Sequence, residues 1–121
     1  MDSLSDIVDV VIGVDTHVET HSAAALDART SGVLGELTVE ATPDGYDLLV
    51  AFADGHSGLR AWAIEGTGGH RAGLTRHLGG ELVLELDRPE RAQRRHGAKS
   101  DPLDAIRAAR EALARTKLAT R

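Results

Sequence analysis

A chain of 121 residues, 41% of them apolar, has the size of one domain with a real core, and a single domain over 1–121 is expected. It contains no cysteine, which excludes disulfides, thiolate zinc sites and cysteine nucleophiles and fits an intracellular, cytoplasmic setting. The net charge of −5 is unevenly placed: residues 1–87 carry 4 basic and 15 acidic side chains (−11), residues 88–121 carry 10 and 4 (+6), so the C-terminal quarter is the candidate face for a polyanion. With one Trp, one Tyr and one Phe, stacking on exposed bases is poorly supplied. Met1-Asp2-Ser3-Leu4-Ser5-Asp6 has no basic leader character, and no apolar run approaches the roughly 20 residues that span a bilayer, so neither export nor membrane insertion is expected.

Ile7-Val8-Asp9-Val10-Val11-Ile12-Gly13-Val14 is β-branched and almost wholly apolar, the pattern of a strand buried on both faces, and it ends in Asp15. Residues 19–26 and 35–41 read as two further strands around the turn Asp27-Ala28-Arg29-Thr30-Ser31-Gly32, which makes a three-strand meander. Ser22-Ala23-Ala24-Ala25-Leu26 suits a helix as well as a strand. Thr42-Pro43-Asp44-Gly45 opens a predicted helix to about Ala53, with Pro43 at its first position and Leu48, Leu49 and Phe52 at helical spacing. Residues 59–64 form a short predicted strand that delivers Glu65 at its end, before the loop Gly66-Thr67-Gly68-Gly69. A helix over 70–78, the turn Gly79-Gly80 and a strand over 81–86 complete an alternating α/β pattern, stopped by Asp87-Arg88-Pro89. Residues 90–99 are polar and basic, with too few apolar side chains for core, and are placed on the surface. A last helix rich in Ala, Leu and Arg starts at Ser100-Asp101-Pro102-Leu103-Asp104 and runs to about Thr116.

Four acids stand out by position. Asp15 and Glu65 each close a predicted strand, and strand C-termini line one edge of a parallel or mixed sheet. Asp101 and Asp104 lie three apart on the first turn of the last helix, hence on one face. An all-carboxylate set suits hard cations such as Mg²⁺ or Mn²⁺, and two ions held roughly 3.5–4 Å apart serve phosphodiester cleavage. The plainer account is that an acid after a strand is a turn residue, and that Asp101 caps a helix whose dipole Asp104 complements. Asp15 is the strongest single candidate, because a carboxylate closing so apolar a strand risks burial without a partner.

Arg88, Arg91, Arg94, Arg95 and Lys99 precede the Asp pair directly and place phosphate-binding cations beside it, against the alternative of an ordinary solvated run. The loop at Gly66–Gly69 lacks both the dinucleotide fingerprint and the Lys-Ser/Thr of a P-loop, so tight turning is its expected purpose. His17 and His21 are expected on one strand face. With His56, His70, His77 and His96 they show no persuasive zinc spacing, although His17 and His70 lie near Asp15 and Glu65 in sequence. No serine-nucleophile elbow is present.

Gly13-Val14-Asp15-Thr16-His17, Trp62-Ala63-Ile64-Glu65-Gly66-Thr67-Gly68, Asp87-Arg88-Pro89 and Gly97-Ala98-Lys99-Ser100-Asp101-Pro102-Leu103-Asp104-Ala105 resemble, in order and spacing, the N-terminal domain of DEDD insertion-sequence transposases and the related Piv-type DNA invertases. The last block is highly specific, while the first is common to many folds. The resemblance implies an α/β, ribonuclease-H-like (RuvC-like) fold, a mixed sheet with flanking helices, in which Asp15, Glu65, Asp101 and Asp104 are the family's four acids. It implies Mg²⁺- or Mn²⁺-dependent DNA strand cleavage and exchange, in some members with a structured guide RNA, by a homo-oligomer in the cytoplasm at the nucleoid. Two departures stand out: Val18 takes the place of a basic residue of many relatives, and such transposases continue into a C-terminal domain bearing a nucleophilic serine. With the chain ending at Arg121, complete transposition by it alone is not expected.

Two other readings compete. One is a non-catalytic nucleic-acid-binding or assembly remnant of a transposase, which predicts salt-sensitive binding that survives loss of Asp15. The other is a lobe of an actin-like sugar kinase or ATPase, but Asp15-Thr16-His17-Val18-Glu19 lacks the glycine of their phosphate loop.

Overall fold

A computed structural model describes residues 3–66, 68–87 and 102–115. A short 3-10 turn, Leu4–Asp6, leads into β1 (Val10–Thr16), β2 (Thr20–Asp27), β3 (Val33–Glu40), α1 (Pro43–Asp54), β4 (Arg60–Glu65), α2 (Gly68–His77), β5 (Leu82–Leu86) and α3 (Pro102–Ala114). The strands form one five-stranded sheet in the order β3-β2-β1-β4-β5. β1, β2 and β3 pair antiparallel as the expected meander, whereas β4 and β5 run parallel to β1, so the sheet is mixed.

Why the central strands are so apolar follows from their cover. β1 is buried at every position and β4 at all but its first residue, because helices pack on both faces. On one face Val11, Ala24, Leu26, Ala61, Ala63 and Leu86 meet Ala105, Ile106, Ala108, Ala109 and Ala112 of α3. On the other, Ile12, Val14, Ala23, Ala25, Trp62 and Ile64 meet Leu49 and Ala53 of α1 and Leu74 of α2. The Ser22–Leu26 segment, ambiguous in sequence, is strand: its alanines are buried on alternate faces between β1 and β3, where a helix has no room. β3 is an edge strand and mostly exposed.

The first strand begins at Val10, three residues later than its apolar pattern suggests. Ile7 and Val8 instead cap the 3-10 turn by donating to the Leu4 carbonyl, and the Asp9 carboxylate accepts the Leu59 N–H at 2.9 Å. α1 starts as expected, with the Thr42 hydroxyl accepting the Gly45 N–H at 3.1 Å and Pro43 in the first turn.

Two features fix the parts that matter for the site. At Gly13 a Cβ would collide with the Ala105 carbonyl and lie 2.8 Å from the Ala109 nitrogen, so α3 rests directly on the backbone of β1. Only a glycine under an alanine-faced helix allows that approach. At the opposite end of β4, Arg60 donates from Nε and Nη2 to the Glu81 oxygens at 3.2 and 2.9 Å, and Trp62 Nε1 donates to the same carboxylate at 2.9 Å. These donors, Arg60 foremost, hold Glu81 below its ordinary pKa and tie the start of β4 to that of β5. Among the described residues no helix is long and apolar enough to cross a membrane.

Candidate functional site

Parallel pairing of β1 with β4 ends on the register pair Asp15↔Glu65, so the two acids stand side by side where both strands stop. Alternation puts them on the face that α3 covers, in line with Gly13 and Ala63. Both residues are 0% exposed. At the ~4.8 Å spacing of neighbouring strands, two ionised carboxylates repel by roughly 3 kcal/mol at an effective dielectric of ~20. Burial on this scale requires compensating positive charge.

α3 supplies it. The helix runs back across β1 from its first turn, which lies over the strand ends, so the positive end of its dipole faces the carboxylates. From its second turn Arg107 reaches Glu65 as a two-pronged fork, Nη1 donating to Oε2 at 2.8 Å and Nη2 to Oε1 at 3.0 Å. The same Nη2 donates to Asp104 Oδ1 at 3.2 Å, so one guanidinium bridges a carboxylate of the sheet and one of the helix. Burial pulls the Arg107 pKa down, but its bonds to Glu65 and its proximity to Asp104 outweigh this and leave it above its ordinary value.

Asp15 is held from the hairpin that follows β1. His17 Nε2 lies 3.1 Å from Asp15 Oδ2 and donates to it. The Thr16 hydroxyl donates to the Glu65 carbonyl at 3.0 Å, which joins the ends of β1 and β4 a second time. Directly after Glu65, Gly66 adopts φ 153°, where a side chain would strike the Thr16 hydroxyl, so the glycine serves the tight turn expected of it. Arg71 of α2 fastens that turn by donating from Nη1 to the carbonyls of Gly66 and Leu86 at 2.6 and 2.7 Å.

The two histidines expected on one strand face lie on opposite faces. His17 sits in the turn beyond β1, on the Asp15 side, whereas His21 of β2 pairs with Thr16 and points toward α1. There its ring stacks on Tyr46 at 5.8 Å and Nδ1 donates to the Thr20 carbonyl at 3.0 Å, while the buried Nε2 has no hydrogen-bond partner among the described residues. Burial pushes the His21 pKa down; the Thr20 bond opposes this, and His17 and His70 add to it.

Of the acids singled out in sequence, Asp15 and Glu65 are thus adjacent in the structure, and Asp104 is joined to Glu65 through Arg107. Asp101 lies outside the described residues, as do Arg88, Arg91, Arg94, Arg95 and Lys99. The described chain stops at Asp87, just after Leu86, the register partner of Glu65, and resumes with the first turn of α3, so both flanks of that basic segment lie at the carboxylate edge. Among the described residues no group of three or more His, Asp or Glu side chains is gathered closely enough to hold a metal ion.

Sequence reasoning missed Arg107 and Arg71. The spacing of Asp104 and Arg107 signals a helical pair, but nothing local signals that the arginine spans to Glu65. No family model matches the chain, and no curated protein matches it.

Proposed function

We propose that the chain is the catalytic-carboxylate domain of a DNA-processing transposase or recombinase, with a ribonuclease-H-like fold and a site for Mg²⁺ or Mn²⁺ at the ends of β1 and β4. The observation that carries this reading is the register pair Asp15↔Glu65, two wholly buried carboxylates aligned at adjacent parallel strand ends. A meander extended by two parallel strands, with helices on both faces, is compatible with that fold.

The donor set matches such an ion in oxygen chemistry but not in spacing, since among the described residues no three of these groups are gathered closely enough to hold one. Asp15, Glu65 and Asp104 offer hard oxygens, and a positive group of the chain's own, the Arg107 guanidinium, already stands between two of them. By the resemblance, and not by their spacing here, Asp15, Glu65, Asp101 and Asp104 would hold the metal, which would supply Lewis-acid polarisation of a phosphodiester. The chain's residues orient that chemistry. His17 fixes the Asp15 carboxylate, Thr16 and Arg71 fix the carbonyls of Glu65 and Gly66, and the basic segment 88–99 would grip DNA phosphates next to the acids. A structured guide RNA, a C-terminal serine domain and homo-oligomerisation belong to the same reading.

The Arg107 bridge also favours a second reading, in which the acids are structural and the domain is a nucleic-acid-binding or assembly module. Calorimetric titration with Mn²⁺, in the presence of duplex DNA, separates the two. The catalytic reading expects millimolar or tighter binding by the native chain and none by Asp15→Asn. Equal heats for both proteins would reject it, and DNA affinity indifferent to Mn²⁺ and to Asp15→Asn would support the module.

A further inference from the structure

The two edges of the sheet are finished differently. β5 is five residues long, and Arg71 fastens its end by donating to the Leu86 carbonyl at 2.7 Å and to Glu85 at 3.0 Å. β3 is eight residues long and mostly exposed, and among the described residues it pairs with β2 alone. It contains neither proline nor lysine, the residues that commonly block pairing along an edge. Alternation places Gly35, Leu37 and Val39 on the α1 face and Glu36 and Thr38 on the other. Phe52 of α1 lies over this strand, with its Cε1 3.4 Å from where a Cβ of Gly35 would stand. Leu48 is one turn earlier on the same side of α1, about 6 Å or two strand residues nearer the end of β3, hence level with Leu37. Its side chain is 56% exposed beside that edge.

We propose that two copies of this chain join through β3, antiparallel about a two-fold axis beside Leu37, so that their sheets become one. A two-fold contact sets the same strand against itself, and the side chains of β3 select the register. With the axis at Leu37, that residue meets Leu37 of the partner and Gly35 meets the partner's Val39, an apolar row continuous with Leu48 and Phe52 of both α1 helices. On the opposite face Glu36 meets the partner's Thr38, and the symmetry repeats the pair, so no two carboxylates stand opposite. Moving the axis to Glu36 sets that acid against itself, and moving it to Thr38 sets Glu36 against Glu40. The contact is independent of the reading of Asp15 and Glu65, which lie at the strand ends and not at this edge.

Sedimentation equilibrium of the native chain, Thr38→Lys and Thr38→Glu tests the register. Thr38 is exposed, and both substitutions remove the same 3.0 Å bond to the Ser22 hydroxyl, so a general loss of stability moves them in one direction. Across the axis they differ, since Thr38→Lys sets an ammonium against each Glu36 and Thr38→Glu a second carboxylate. The expected result is a dimer whose Kd falls by about threefold or more with Thr38→Lys and rises by about threefold or more with Thr38→Glu. Ala72→Lys and Ala72→Glu repeat these charge changes on the exposed side of α2, which packs over β4, and should move the Kd by less than about twofold. A native chain that stays monomeric up to about 1 mM overturns the proposal. So does a dimer that answers alike to the two Thr38 variants, or as strongly to the Ala72 pair. A second measurement needs no substitution. Amide hydrogen exchange along Gly35–Val39 should be slower above the Kd of the native chain than below it, and equal rates at both concentrations would refute the pairing even if the Thr38 variants failed to fold.

Discussion

Replacing Gly13 by alanine tests the close seating of α3 on β1, and its sign alone decides. An alanine in an unobstructed strand position stabilises by about 0.4–1 kcal/mol, because it restricts the unfolded chain. Nothing in the conformation of Gly13 opposes this, since it is not among the positive-φ glycines. Its new Cβ, however, would meet the Ala105 carbonyl, the Ala109 nitrogen at 2.8 Å and the Ala109 Cβ at 2.9 Å. Two of these are backbone atoms, so no rotamer change relieves the clash and the helix has to lift. Overpacking of this kind costs about 1–3 kcal/mol, and with two backbone atoms struck the upper part of that range, about 2–3 kcal/mol, applies, which leaves a net loss of about 1–2 kcal/mol after an unfolded-state gain of up to about 1 kcal/mol. At about 4 °C per kcal/mol for a domain of this size, the midpoint of thermal unfolding should fall by roughly 4–8 °C. Adding Ala109→Gly should restore little, because the Ala105 carbonyl remains. Thermal unfolding followed by circular dichroism reads the effect, and a midpoint that is unchanged or raised would refute the packing argument.

Two further outcomes follow from the buried polar groups. His21 is held neutral by burial and titrates below its ordinary value of 6.5, so the unfolded chain takes up a proton that the folded chain refuses. Its contribution is present above pH 6.5 and is lost as pH falls from 6.5 through the folded value; the urea midpoint should drop across that window in the native protein and stay flatter in His21→Phe, and equal slopes would contradict the assignment. For the Glu65 and Arg107 pair, removing only the arginine takes both bonds of the fork from a buried carboxylate, for which a loss of up to about 3 kcal/mol is expected given that the guanidinium is partly solvated, whereas Glu65→Leu with Arg107→Met should be neutral or stabilising. A double variant less stable than the native chain would show that the pair is retained for stability.

How much of this was legible beforehand depended on whether the signal was local. β1, β4 and their closing acids were legible because an apolar run that stops at a carboxylate is a contiguous pattern, and α1 because Thr42 and Pro43 mark a helix start chemically. The alanine-rich β2 was ambiguous because alanine carries no β preference, and only cover on both faces made it a strand. The side on which His17 and His21 fall was misread because it depends on where the hairpin turns. The His17 N–H bonds the Thr20 carbonyl, which ends the pleat between them. Bonds over long sequence separations, Arg107 to Glu65 and Arg60 to Glu81, leave no trace in spacing at all.

The two edges of the sheet show what distinguishes the acids from ordinary structural charges. At the start of β4, Arg60 is shared between Glu81, which takes its fork, and Asp54, whose side chain is 62% exposed. The surplus negative charge there costs little, since the solvent carries it. At the strand ends the acids are placed differently: Asp15 and Glu65 are wholly buried, and among the described residues one guanidinium serves Glu65 and Asp104 while His17 bonds Asp15. Most positions of β1 and β4 are apolar and covered, Thr16 and the cross-strand Ser22 being polar exceptions beside Asp15, so local preference alone favours apolar side chains at these strand ends. Two carboxylates that depart from that preference on adjacent strands, in register, repel one another, and among the described residues Arg107 and His17 are set against that repulsion. Such a conflict between local rule and observed residue is where binding chemistry is expected.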